Sequence, residues 1–211
     1  MVKKSRPQRA PYHHGDLRQA LLAAAEQELE EKGIEGFSLR GVAKRAGVSH
    51  AAPLHHFRDM RALLTALAAQ GFERFLGAQR ARQAKAEKDA LSQLVASGMG
   101  YIDFALANRG IFRLMFSSDR PDHETADLMV PAEAAYDQLF ADVARAHGLP
   151  LSFTDETLML EAMKAWGLAH GLADLMASGR LKHLARLKKA DRERVLSTLL
   201  RGAFKQRADL R

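Results

Sequence analysis

Residues 33–63 read GIEGFSLRGVAKRAGVSHAAPLHHFRDMRAL, from Gly33 to Leu63, and the spacing within this stretch decides the fold. Ser38 is a favourable N-cap, and Leu39, Val42, Ala43 and Ala46 follow it at i, i+3, i+4 and i+7 until Gly47, which predicts a helix of about two turns. Ser49 is the expected cap of a third short helix running to Phe57, with Pro53 in its first turn or so, and Asp59 is the expected cap of a fourth starting at Met60. A short helix, a glycine-containing turn and a second short helix can dock on DNA: one helix enters the major groove while the other braces it across the backbone.

Upstream of this module, Asp16 is the expected cap of a first helix that carries Leu17, Leu21, Ala25 and Leu29 at four-residue intervals and stops at Gly33. Downstream, the fourth helix runs past Phe72, Phe75 and Leu76. Helical spacing then recurs at about Ala90 to Asn108, Ile111 to Phe116, Ala126 to Ala146, Asp155 to Ala177 and Asp191 to Phe204, with Pro- and Gly-bearing loops at Ser117 to Asp122 and Gly148 to Phe153. Alternating β-branched runs are scarce. The expected class is all-α, with about nine helices and a three-helix N-terminal module.

The chain of 211 residues has 32 Lys and Arg against 25 Asp and Glu, a formal charge of +7 that favours contact with phosphates. The excess is local. Lys3, Lys4, Arg6 and Arg9 precede the first acid, Asp16, and Arg40, Lys44, Arg45, Arg58 and Arg61 are opposed over their stretch only by Asp59. There is no cysteine, which excludes disulfides and thiolate metal sites and suits a reducing compartment. Neither a membrane span nor the apolar core of a signal peptide is visible, so a soluble cytoplasmic protein is expected. No nucleophile motif, phosphate loop or metal-ligand spacing is present; neither catalysis nor a cofactor nor a metal is expected.

The run from Gly33 to Leu63 resembles the DNA-binding domain of the tetracycline-repressor (TetR) family. The likeness rests on the Glu31-Lys32-Gly33 helix end, Val42-Ala43, Ala46-Gly47-Val48-Ser49, His56-Phe57 and Leu63. HHGDLR (His13 to Arg18), SHAAP (Ser49 to Pro53), YIDFALANRGIFRLMF (Tyr101 to Phe116) and AWGLAHG (Ala165 to Gly171) are similar to a subgroup with a Trp-His-Gly C-terminal region. The resemblance implies a basic arm at 1–15, a DNA-binding domain at 16–62 and a ligand-binding and dimerisation domain at 63–211. It places Arg40 where family members reach a base or phosphate, and His50, Ala51, Ala52 and His55 facing the groove. Ser38, Lys44, Ser49, His56, Arg58, Arg61 and the arm's Lys3, Lys4, Arg6 and Arg9 complete the expected contacts. Leu54 stands where a phosphate-contacting Tyr is common and Met60 where a Lys is, which shifts the expected grip toward Arg40 and the arm and makes it salt-sensitive.

In the C-terminal part, Met99, Phe104, Phe112, Met115, Phe116, Met129, Met163 and Trp166 read on composition as ordinary core. The resemblance implies instead a cavity for a small apolar or amphipathic effector. Trp166 and His170 lie one turn apart; His170 reads either as a polar anchor for that effector or as a histidine bonded to a neighbouring helix. Gly167 and Gly171 give their helix a thin face beside Leu168 and Leu172, and the last helix carries Val195, Leu196, Leu199, Leu200 and Ala203 as an apolar stripe. The resemblance pairs these two helices with their symmetry mates in a homodimer, whose partner is double-stranded DNA with an inverted-repeat operator. A DNA-binding protein of this kind without any small effector is the other reading left open.

Overall fold

A computed structural model describes residues 14–204, and it is all-helical among them. The elements are α1 (His14–Gly36), α2 (Leu39–Arg45), α3 (Ala52–His56), α4 (Met60–Gln83), α5 (Ala90–Ala107), α6 (Arg109–Phe116), α7 (Ala126–His147), α8 (Glu156–Ala177), α9 (Lys182–Arg186) and α10 (Lys189–Phe204). Ten helices stand where about nine are expected, because the five-residue α9 is too short and too charged to carry a periodic signal.

Most boundaries follow from capping chemistry. Ser38 accepts the Gly41 N–H at 3.1 Å, Asp59 the Ala62 N–H at 2.8 Å and Asp89 the Ser92 N–H at 2.8 Å, each opening a helix. Gly33 breaks α1 at φ 67°, a left-handed conformation that a side chain disfavours, and the short Ile34–Gly36 tail follows the kink. Two expectations are corrected. Helix α1 begins at His14, ahead of Asp16. Ser49 does not cap α3: Ser49 to Ala51 form a turn in which the Ala52 N–H bonds the Ser49 carbonyl at 3.0 Å, and Ala51 is the uncapped first position.

The head, α1 to α3 with the start of α4, closes over Leu21, Leu29, Phe37, Val42, Phe57 and Leu63, all buried. A buried carboxylate completes it. Glu28, 5% exposed, accepts from Arg45 Nε at 2.6 Å, and Arg45 also pairs with Glu31, whose carboxyl these hydrogen bonds, with that from Lys32, hold at about 2. A Cβ on Gly41 would overlap Glu28 Oε1, so α2 seats on that carboxylate with no side chain between them.

The body is built around α4 and α5, whose backbones touch. A Cβ on Gly100 would meet Gln79 Cα at 2.5 Å, and one on Gly71 would meet Met115 Sδ at 2.6 Å and Ile111 Cγ2 at 2.7 Å, so α4 packs tightly on both α5 and α6. Helices α7, α8 and α10 close the other sides, and one apolar core runs from α1 to α10. The domain boundary expected at residues 62/63 therefore falls in the first turn of a helix that head and body share.

Gly100→Ala must push α4 away from α5, whereas Gly77, also in α4, has open space around it. Urea denaturation is expected to report a loss of about 1–3 kcal/mol for Gly100→Ala and a gain of roughly 0.5–1 kcal/mol for Gly77→Ala, where only helix propensity changes. Equal effects at the two positions would refute the close-packing argument.

Candidate nucleic-acid interface and ligand cavity

Helices α2 and α3 are separated by a turn in which Gly47 takes φ 67° and Val48 N–H reaches back to Ala43 O at 3.0 Å. Ala43 and Val42 are buried under this turn, and Phe57 ends α3 as a buried plug beneath the Arg18 guanidinium, 5.1 Å from the ring centroid. The outer face carries Ser38, Arg40, Lys44, Ser49, His50, Ala51, His55 and Arg58, all exposed; His56 is half-buried. Among the described residues, Arg40, Lys44 and Arg58 carry no ion pair. Ala52 corrects the expectation that it faces the groove, because it turns inward at 8% exposure as the start of α3 packs on the head. Leu54 takes an outward position instead, 53% exposed. Lys3, Lys4, Arg6 and Arg9 lie outside the described residues.

The head is fastened to the body by charged contacts that periodicity does not reveal. Glu26 pairs with Arg74 at 2.7 Å, and Glu30 accepts the Gly110 N–H at 2.7 Å, placing an anion at the N-terminus of α6. Glu35 reaches Arg120 at 3.2 Å. In the α6–α7 loop, the Asp122 N–H donates to Thr65 Oγ1 at 2.8 Å, while the Asp122 carboxylate lies 3.6 Å from Arg61; Thr65 and Arg61 are both near the start of α4.

In the body, a cavity of about 260 Å³ opens between α4, α5, α7 and α8. Phe72, Phe75 and Gln79 face it from α4, Ser97 and Tyr101 from α5, and Phe116 from the end of α6. Ala132, Ala135 and Tyr136 form the α7 wall, Trp166 stands on α8, and Phe204 closes one end. Phe75 is its aromatic hub, edge-on to Tyr101 at 4.7 Å and to Phe104 and Phe116 at 5.4 and 5.7 Å.

Of the effector residues expected from sequence, Phe116 and Trp166 line this cavity. Met99, Phe104, Phe112 and Met115 are buried beside or beneath it as packing, while Met129 and Met163 sit on the outside, 40% and 36% exposed. Their helical spacing is sound, but spacing does not reveal which face of α7 or α8 meets a neighbour. His170 stands behind the wall. Its Nδ1 meets the Tyr101 hydroxyl at 2.7 Å, and Phe112 and Phe116 surround it at 5.4 and 5.5 Å, so it is bonded to a neighbouring helix. Tyr101 also accepts from Trp166 Nε1 at 3.4 Å, and burial pushes its phenol well above the usual range. Gln79, Ser97 and Tyr136 are not visible as cavity residues in the sequence, because scattered polar and small residues leave no periodic trace.

The stripe expected on α10 is split. Leu196 and Leu200 point into the subunit, at 2% and 0% exposure, and Leu200 Cδ1 would touch a Cβ on Gly98; this corrects their placement at a dimer surface. Leu199 is 47% exposed, and Val195 and Ala203 are partly covered. On α8, Leu168 and Leu172 are half-buried, and at Gly167 and Gly171 a Cβ would meet nothing within 4 Å.

A helix-turn-helix head continuous with a helical body that encloses an apolar cavity defines an all-helical DNA-binding regulator. The comparisons give the family. Residues 21–67 match the family model for bacterial regulatory proteins of the tetR family, and residues 94–202 the tetracyclin repressor-like C-terminal domain. The chain belongs to the tetracycline-repressor family of transcriptional regulators. It is similar to a protein of unknown function from Rhodococcus sp. RHA1, at 36% identity over 94% of this chain and 100% of that one, with a TM-score of 0.75. A TetR-like transcriptional regulator from the same organism shares the fold at 18% identity, covering 93% and 96% of the two chains with a TM-score of 0.65. So does the transcriptional regulator FadR from Bacillus subtilis in complex with stearoyl-CoA, at 11% identity, 88% and 98% coverage and a TM-score of 0.62. Comparison with curated proteins gives no match. No helix among the described residues is long and apolar enough to cross a membrane.

Burial lowers the pKa of His170, against a weaker opposing pull from Asp174. The neutral ring is thus favoured in the fold while the unfolded chain protonates near the ordinary value of about 6.5. Stability is expected to be complete above that pH and to fall as pH drops through it toward the depressed folded value. His147, also lowered chiefly by burial, adds the same sign. His170→Gln is therefore expected to shrink, without abolishing, the loss in urea midpoint between about pH 7.5 and pH 5.5; an unchanged loss would refute the assignment.

Proposed function

We propose that the protein is a homodimeric repressor that binds an inverted-repeat operator through α2 and α3 and is released by a small apolar or amphipathic effector in the body cavity. The observation that carries the DNA reading is the outer face of the head, where Arg40, Lys44, His50, His55 and Arg58 are exposed together over a buried base. Arg40, at the second residue of α2, has the planar fork that bonds phosphate or guanine bidentately. Leu54 and half-buried Met60 offer no polar group to the backbone, so the grip depends more on charge, the basic arm included.

Pairing of two copies is supported by apolar surface on α8 and α10. Leu160, Leu175 and Leu199 are 63%, 37% and 47% exposed, and beside them Gly167 and Gly171 leave the α8 backbone open to close approach. An isologous pair would set two recognition helices about 34–36 Å apart, one helical turn of DNA.

Release has a structural route. Phe116, a cavity wall, ends α6; the following loop carries Asp122, which holds Thr65 and Arg61 in the first turns of α4. An effector that prefers the conformer with Phe116 displaced lowers operator affinity by its differential affinity for that conformer. The FadR structure with stearoyl-CoA supports an effector with an apolar part.

Selection from random duplex DNA is expected to enrich an inverted repeat. On that operator, Arg40→Ala should weaken binding by roughly five- to 150-fold. Deletion of residues 1–9 should flatten the salt dependence by about 0.9 in log–log slope for each phosphate that the arm neutralises. Failure to enrich any inverted repeat would sink the reading.

A further inference from the structure

We infer that the effector is an uncharged, largely apolar molecule of about ten non-hydrogen atoms whose polar group is a hydrogen-bond acceptor, a ketone or ester carbonyl held by the Gln79 side-chain amide. This rests on the effector reading above and names the chemistry of that site.

Charge is the first discriminator. Among the described residues, no Lys, Arg, Asp or Glu lines the cavity. A carboxylate or ammonium bound there would lose its water without gaining a partner, a cost that strongly disfavours ions.

The second discriminator is which polar groups remain available. Among the described residues, five side chains at the wall carry polar atoms: Gln79, Ser97, Tyr101, Tyr136 and Trp166. Three are already hydrogen-bonded within the protein. Trp166 Nε1 donates to the Tyr101 hydroxyl at 3.4 Å, the Tyr101 hydroxyl is hydrogen-bonded to His170 Nδ1 at 2.7 Å, and Ser97 Oγ donates to Gln79 Oε1 at 3.2 Å. Tyr136 is 40% exposed, within reach of water. Gln79 Nε2 is left, with two N–H donors and no hydrogen bond among the described residues, on a side chain that is 5% exposed. These donors make no bond within the protein and face the cavity, so an acceptor on the ligand gains a hydrogen bond there that no protein group competes for.

Gln79 is also held still. Its Cα sits where a Cβ on Gly100 would be at 2.5 Å, so the backbone beneath the amide cannot retreat, and Ser97 orients the amide plane. A fixed donor selects by position, as an orienting group in an apolar pocket should. Size follows from volume: 260 Å³ is under twice the roughly 150 Å³ of an engineered apolar cavity that binds benzene.

The full-length protein reports on this site directly, because Trp166 is the single tryptophan of the chain and stands on the cavity wall. Three probes of matched size separate the terms: benzylacetone (a neutral ketone), hydrocinnamate (its anionic counterpart) and butylbenzene (a hydrocarbon), each titrated against Trp166 fluorescence. Benzylacetone is expected to saturate and hydrocinnamate to bind at least about a hundredfold more weakly. Gln79→Met, which keeps the volume and removes the donors, is expected to weaken benzylacetone by roughly three- to tenfold and to leave butylbenzene unchanged or tighter. Hydrocinnamate binding as tightly as benzylacetone in the unaltered protein, equal loss of ketone and hydrocarbon in the variant, or no saturable response to benzylacetone each overturns the inference. Operator selection is measured without any probe, so failure of the regulator reading registers separately.

Discussion

The contact of the α4 backbone on Gly100 of α5 is the constraint from which much else follows. A 2.5 Å approach to a missing Cβ allows no side chain between the two helices, so Gln79 and Ser97 face each other across a seam of fixed width. Their larger neighbours, Phe72, Phe75 and Tyr101, face α7 and α8 across the cavity. Close packing on one side of α4 thus accompanies a void on the other.

Because α4 is 24 residues long and straddles head and body, the same helix carries both the cavity wall and the first turn that follows the helix-turn-helix. Rigid packing at Gly71 and Gly100 lets little displacement dissipate along it. The softer links are those at its start: Arg61 to Asp122 is exposed, and Thr65 holds the loop through one hydrogen bond. Exposed ion pairs contribute little to stability, up to about 1 kcal/mol, so this link is weak beside the close packing further along α4.

The head is legible in the sequence because its determinants are local. Ser38 and Asp59 cap, Gly33 and Gly47 take positive φ, and Val42 and Ala43 fall on one face, all within a few residues of each other. Where local signals compete, spacing misleads. Ser49 is a good cap residue, yet the turn before α3 uses its carbonyl; Ala52, one turn on, goes inward because α3 is too short to present more than one narrow face. In the body, the helices themselves are legible, but which of their apolar faces line a void, pack a core or remain open is not. Met99 and Met163 look alike in sequence and end on opposite sides of the wall, and Leu196 and Leu199 divide one stripe between inside and outside.

By itself the sequence determined the helical class, the order of every helix but α9, the Ser38-capped start of the helix-turn-helix and the family resemblance, since each rests on spacing or caps within a few turns. Only the tertiary structure decided that buried Glu28 takes Arg45 as its partner, that His170 is tied to Tyr101 behind the wall, and that Gln79 is left with unused donors in a cavity lined by no charged residue among those described. Those outcomes depend on how helices distant in the chain approach one another, a distance set by the missing side chains at Gly41, Gly71 and Gly100, whose neighbours no sequence window contains.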